Sequence, residues 1–336
     1  MTAQLRVDDL HVHFAVRGRG GRRHQRTLRA VDGVSIEVEH GAVTGIVGES
    51  GCGKSTLART IIGLTEATSG EVWFDGELLP LVRTPLQRRR IQMVFQDPGS
   101  SLNPRKTVGS TLAELIRAHQ LRPDGLVRGR CAELLDLVGL PTRHLDSLPR
   151  EMSGGQRQRV VIARALAVEP DLLIADEAVA AVDVSVQAAI LNLLAELRQS
   201  LDLTMLFISH DLGVVRSICD RVAVMYLGRV VEEASTEQLF TDPQHPYTRA
   251  LLAAAPRLGV PLGTDPPALI GEPPSPFDVG VGCRFRPRCA IAGEPCRTID
   301  PAEAHRAGRR AACHYAWTGD DRDAVGSPVA VHAGTD

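Results

Sequence analysis

Gly48-Glu49-Ser50-Gly51-Cys52-Gly53-Lys54-Ser55-Thr56 gathers three glycines, a lysine and three hydroxyl side chains into nine residues. Glycines spaced this way let consecutive backbone N–H groups curl around phosphate oxygens. The lysine adds a cation over them, and the hydroxyl after it can ligate magnesium. A plain glycine-rich turn is the alternative reading. The full Gly-x4-Gly-Lys-Ser spacing, set between the apolar run Val43–Val47 and a helical pattern through Leu57, Ala58, Ile61 and Ile62, favours a phosphate-binding P-loop. Such a loop needs a carboxylate for its metal. Asp176 ends the apolar run Leu172–Ala175, and the adjacent Glu177 can polarise an attacking water without holding the metal itself. Adjacent acids at a strand end can also cap a helix, but a nucleotide site requires a metal-binding acid. Ser153-Gly154-Gly155-Gln156 precedes a helix built on Arg157, Val160, Val161 and Ala163. Alone it would pass for a helix cap, yet its hydroxyl and bare N–H groups also suit phosphate oxygens.

These groups must be carried by strands and helices that the pattern also predicts. Leu5 to Phe14 alternates as a strand, Arg17 to Arg29 reads as a solvated mobile loop, and Val34–Val38 is a second strand. Short strands follow at Glu71–Phe74 and Ile91–Phe95. From Val108 to Ala167 the spacing is helical throughout, which predicts an inserted helical subdomain. Strand returns at Asp171–Asp176, helix at Val186–Leu201 and strand at Leu203–Ile208, so the expected core is a largely parallel sheet covered by helices. A hairpin over Val222–Glu232 closes it. Beyond about Asp242, prolines at 243, 246, 256, 261, 266, 267, 273, 274 and 276 and four cysteines predict a separate, loop-rich appendix.

A chain of 336 residues suits a main domain with a smaller one. Its 43% apolar content fills a core made mostly of aliphatic residues, since aromatics are only 4%. Near-balanced charge, 38 basic against 40 acidic residues, excludes adhesion to nucleic acid or anionic lipid through an overall field. No apolar run approaches a membrane span, and the residues Met1 to Arg6 lack a signal-peptide core, so a cytosolic chain is expected.

Gly48 to Thr56, Gln96, Ser153 to Gln156, Asp176-Glu177, Asp183 and His210 follow one another as in ATP-binding cassette (ABC) ATPases, and the resemblance covers roughly the first 240 residues. It implies a RecA-like α/β core with an antiparallel β subdomain and an inserted helical subdomain at about 97–167, all within 1–241. It also implies that two cassettes sandwich ATP between one P-loop and the other's Ser-Gly-Gly-Gln. By the same resemblance Lys54 binds the phosphates, Ser55, Gln96 and Asp176 complete the magnesium shell, and Glu177 is the general base. His210 becomes the γ-phosphate sensor, Asp183 part of the loop that speaks across the dimer, and Phe14 the aromatic that stacks on adenine. The chain departs from the family where a proline is usual, at Ala178, and in Ala181-Val182-Asp183, where Leu-Asp is common.

Gln96 to Arg105, His245-Pro246-Tyr247 and Gly271-Glu272-Pro273-Pro274-Ser275-Pro276 resemble the peptide-importer branch, nearest its F-type subunit. That resemblance implies a D-type sister ATPase or a second copy as partner. Two membrane-spanning permease subunits would receive the segment after Gln96, and a solute-binding protein would act through them. The location would be the cytoplasmic face of the membrane. A soluble ABC ATPase acting on nucleic acid or ribosomes is the rival reading, disfavoured by the single cassette and the absence of a broad basic field. Cys283, Cys289, Cys296 and Cys313, in region 242–336, have five, six and sixteen residues between them in turn. Disulfides are disfavoured in the cytosol, which leaves a metal centre. Tight pairs would suit zinc and wider spacing a [4Fe-4S] cluster, which the importer resemblance favours; zinc and free thiols remain alternatives. Arg284, Arg286, Arg288 and Arg297 are expected to offset the centre's negative charge, while Cys52, Cys131 and Cys219 read as small buried apolar residues.

Overall fold

The computed structural model describes residues 3–17, 25–180, 183–254, 271–277 and 279–317. Strands β1 (Ala3–Arg17) and β2 (Gln25–Glu39) form an antiparallel hairpin, and β3 (Val43–Val47) runs through the glycine loop into α1 (Lys54–Ile61). Then come β4 (Ser69–Phe74), β5 (Glu77–Leu78), α2 (Pro85–Arg90) and β6 (Ile91–Val94). The helical subdomain carries α3 (Pro98–Ser101), α4 (Val108–Ala118), α5 (Val127–Leu137) and α6 (Gly154–Leu166). Alternation resumes with β7 (Leu172–Asp176), α7 (Val184–Leu201), β8 (Thr204–Ser209) and α8 (Leu212–Ile218), before the hairpin β9 (Arg221–Tyr226) and β10 (Arg229–Ser235). α9 (Thr236–Thr241) ends the cassette, and the extension contributes α10 (Pro246–Ala254), α11 (Pro295–Thr298), β11 (Ala304–Arg306) and β12 (Arg309–Ala311).

The large sheet has the order β11-β12-β10-β9-β3-β8-β7-β6. Its centre is parallel: β3 pairs with β8 and β9, and β7 with β6 and β8. Parallel strands at the centre of a sheet are covered on both faces, so β3, β7 and β8 are buried at every position, as their mainly apolar runs predict. The four-stranded sheet, order β2-β1-β4-β5, instead alternates, with Leu5, Val7, Leu10 and Val12 turned onto one core and polar residues outward. One core layer joins this sheet to α1, and the other gathers the helical subdomain, α7 and α8.

Two expectations change. Of the loop foreseen over Arg17–Arg29, the described residues are strand: Arg17 pairs with Gln25, Ala15 with Thr27 and Phe14 with Leu28, while 18–24 lie outside the described residues. The extension is not a detached appendix either. Its β12 pairs with β10, Glu232 facing Ala311, and so continues the main sheet, while Tyr247 and Phe285 enter the main core. The prolines at 256, 261, 266 and 267 lie outside the described residues.

Buried Glu232 ties the extension down, its two carboxylate oxygens accepting the N–H groups of Gln244 and His245 at 2.7 and 2.8 Å. His245 is 1% exposed, and its Nδ1 accepts the N–H of Tyr247 at 3.0 Å, which requires the ring to be unprotonated there. Burial pushes its pKa down to about 3. The unfolded chain therefore takes up this proton before the folded one does, and stability present above pH 6.5 falls as the pH drops towards 3. The full effect is on the order of 5 kcal/mol. Melting curves between pH 4.5 and 7.5 are expected to show His245→Gln losing less stability on acidification than the parent chain.

Candidate active site

The P-loop lies where β3 ends and α1 begins, so phosphate meets the amino end of a helix. Gly53, at φ 110°, is the residue before α1, and a Cβ there would lie 2.0 Å from the carbonyl oxygen of Ala30, so only glycine allows the approach. Lys54 is 5% exposed and folded back, donating to the carbonyls of Gly48 and Glu49 at 2.7 and 3.0 Å. Its charge is thus held over the loop that would cradle phosphates.

Two strands across, β7 delivers Asp176 to the same cleft, and Ser55 Oγ donates to Asp176 Oδ1 at 3.0 Å. Burial raises the Asp176 pKa, the Ser55 hydrogen bond opposes this, and neighbouring Glu177 raises it further. A buried carboxylate facing a hydroxyl in a cleft of about 450 Å³, which Arg59, Gln96 and Arg164 also line, fits a site for a hard cation. Glu177 has φ 48°, a strained value for a non-glycine residue, and its N–H is held by the Ile208 carbonyl at 2.9 Å. Its carboxylate stands between two partners: Gln96 Nε2 donates to Oε2 at 2.7 Å, and His210 Nδ1 lies 3.2 Å from Oε1. The ends of β6, β7 and β8 thus bring together Gln96, Asp176, Glu177 and His210, as the sequence requires.

Other expected residues stand apart from this cleft. Ser153 caps α6 reciprocally, its Oγ accepting the Gln156 N–H at 3.3 Å and Gln156 Oε1 accepting the Ser153 N–H at 2.9 Å. Among the described residues, Ser153 to Gln156 make no hydrogen bond to the P-loop cleft. Gly155 is fixed by packing, since a Cβ would fall 2.4 Å from Val186 Cγ1. Phe14 sits on β1 and is 39% exposed. Asp183 is exposed at the start of α7, Ala178 is buried, and Ala181 and Val182 lie outside the described residues.

None of the seven cysteines is in a disulfide. Burial pushes Cys283 up to about 11 and Cys313 up to about 12, with neighbouring cysteines adding to the rise. Cys283, Cys289 and Cys296 each contribute to the rise at Cys313. The four thiols are not drawn into a compact ligand group: among the described residues only His11, His13 and Asp32 place three ligating atoms within 4.8 Å of one another. That trio is already engaged, because Arg284 pairs with Asp32; burial pushes the Asp32 carboxyl up, but Arg284, His13 and His11 together outweigh it and hold the group below its usual range. The arginines expected to surround the thiols are a correction. Arg284 reaches Asp32, Arg288 reaches Glu49, and Arg286 donates to the Arg297 carbonyl. Sequence reasoning missed the Arg284 and Arg288 pairs, since their partners lie more than 200 residues away.

A glycine loop between strand and helix, with an acid pair ending a neighbouring strand, defines a P-loop nucleoside triphosphatase. A family model described as ABC transporter matches residues 31–180, and one described as Oligopeptide/dipeptide transporter, C-terminal region, matches 231–296. The Dipeptide transport ATP-binding protein DppF of Haemophilus influenzae is 46% identical over 292 residues, 86% of this chain and 89% of that protein. DppF of Escherichia coli is 45% identical over 313 residues, 92% of this chain and 93% of its own. The chain belongs to the ABC transporter family and is an ATP-hydrolysing cassette of it. Among solved structures, the dimeric ATP-binding cassette MJ0796 bound to ADP and Pi has a TM-score of 0.60 and 28% identity, covering 69% of this chain and 98% of that one.

Proposed function

We propose that this chain is the ATP-hydrolysing subunit of an importer for dipeptides or oligopeptides. The observation that carries it is the cleft in which Ser55 and Asp176 meet while Gln96 and His210 hold Glu177. The cargo reading is supported by the peptide-import names of the relatives and by the match over 231–296. Nothing in those names or matches supports a role on nucleic acid or ribosomes.

In this reading the cassette spans 1–241 and the extension 242–336. Glycines and N–H groups from Gly48 to Thr56 cradle the phosphates, Phe14 stacks on adenine, and Lys54 leaves the carbonyls of Gly48 and Glu49 for the phosphate oxygens. Ser55, Gln96 and Asp176 would hold Mg²⁺, which supplies neutralisation of phosphate charge. Glu177 takes the proton from a water whose oxygen attacks the γ-phosphorus, ADP departs, and His210 keeps the carboxylate oriented while facing the phosphate. Ser153 to Gln156 and Asp183 serve the nucleotide of the opposing cassette, either a sister ATPase or a second copy. MJ0796, solved as a dimer with ADP and Pi, lends this arrangement support.

Two permease subunits would dock on the segment after Gln96 at the cytoplasmic face, with a solute-binding protein beyond them. No helix among the described residues is long and apolar enough to cross a membrane, so anchoring would fall to those partners. Cys283, Cys289, Cys296 and Cys313 are read as ligands of a [4Fe-4S] cluster. The reading rests on their spacing, with five, six and sixteen residues between successive cysteines, which is wider than the tight pairs usual for zinc. The cluster would supply cross-linking of a loop-rich segment.

Affinity capture of the tagged chain from its native membrane is expected to bring down two membrane-spanning proteins and a second cassette. Capture with ribosomes or DNA instead would sink the importer reading. An anaerobic preparation is expected to be brown, and colourless protein carrying stoichiometric zinc would refute the iron–sulfur assignment.

A further inference from the structure

Arg288, one residue before Cys289, reaches out of the extension to the P-loop. Its Nη1 and Nη2 donate to Glu49 Oε2 and Oε1 at 2.6 and 2.8 Å, a two-pronged pair with the arginine side chain only 4% exposed. A second element of the extension reaches the same residue, since Tyr247 Oη accepts the Glu49 N–H at 2.9 Å. The Glu49 carbonyl accepts from Lys54. Tyr247, Tyr226 and Phe285 pack ring on ring, with centroids 4.6 to 5.4 Å apart, so both grips share one brace.

Glu49 is an acid inside a loop whose purpose is to bind an anion. Unpaired, its carboxylate would oppose the triphosphate, and in a partly buried site that repulsion is weakly screened. We propose that Arg288 is a positioning residue of the nucleotide site: by pairing with Glu49 it cancels an anion in the phosphate loop and fixes the loop's first turn, so the extension sets affinity for the triphosphate. The proposal rests on Gly48 to Thr56 being the nucleotide loop.

The test is equilibrium binding of ATP and of adenosine to the purified full chain, with magnesium withheld so that hydrolysis does not intervene. Arg288→Gln is expected to bind ATP about tenfold more weakly, the size of one lost charge-assisted pair, while adenosine binding is unchanged. Adding Glu49→Gln to that variant removes the offending charge and should restore ATP affinity to within about twofold of the parent. Glu49→Gln alone leaves the extension's sequence intact and should bind ATP at least as tightly as the parent, so the idea can be judged even if Arg288→Gln misfolds. Equal ATP affinity in the parent and Arg288→Gln, no recovery in the double variant, or weakened binding in Glu49→Gln alone overturns it. A parent chain that bound no ATP would instead overturn the reading of the loop.

Discussion

Glu177→Gln is expected to cut steady-state phosphate release by about two to four orders of magnitude while leaving ATP bound. The substitution removes the proton acceptor and little else. Its backbone position is fixed by the bond from the Glu177 N–H to the Ile208 carbonyl, and that bond does not depend on the side chain. The amide has the carboxylate's shape and still offers an oxygen to Gln96 or His210, which flank it at 2.7 and 3.2 Å. Ser55, Asp176 and the P-loop are untouched, so the triphosphate and its metal keep their ligands. Binding without turnover should hold two cassettes together. Light scattering is expected to register an ATP-stabilised dimer that the parent chain forms only transiently. Undiminished phosphate release from the variant, assembled with its partners, would take the general-base role away from Glu177.

Local signals made the catalytic cleft legible. Val43–Val47, interrupted only by Thr44, and Leu172–Ala175 are the mainly apolar runs expected of doubly covered strands; the first leads into the P-loop and the second into Asp176. The first half of β2 was hidden for the opposite reason. Arg26 and Thr27 are exposed, so they carry no apolar period, and their place in the sheet is set by register with β1. β12 was hidden by length, since three residues are too few to show alternation, and β10 supplies the pairing. The four cysteines announced themselves by spacing, but the arginines among them were misjudged: charge near a thiol group suggested service to it, whereas Asp32 and Glu49 claim two of them. A sequence shows which groups need partners, and over such separations the fold decides which partner arrives.

Gly154→Asp is expected to move stability and turnover in opposite directions. Gly154 is the first residue of α6, and a Cβ there would meet nothing within 4 Å, so the substitution fits without displacing a neighbour. A carboxylate in the first turn complements the helix dipole and should raise stability by about 0.5 kcal/mol. If the same helix end receives the γ-phosphate of the opposing cassette, that carboxylate faces a polyanion across a closing interface. One such like-charge pair at 4 Å costs about 4 kcal/mol at the dielectric of a partly exposed site, enough for a loss of more than about a hundredfold in closure. ATP binding to the isolated chain should not change, because Ser153 to Gln156 make no hydrogen bond to their own P-loop cleft among the described residues. Gly155→Asp cannot separate these effects, since its Cβ would collide with Val186 and unsettle the packing of α6 on α7. A slightly higher melting temperature, normal nucleotide binding and lost dimerisation in Gly154→Asp would together assign this helix end to the neighbour's nucleotide, whereas hydrolysis at the parental rate in the assembled transporter would show that no phosphate meets it.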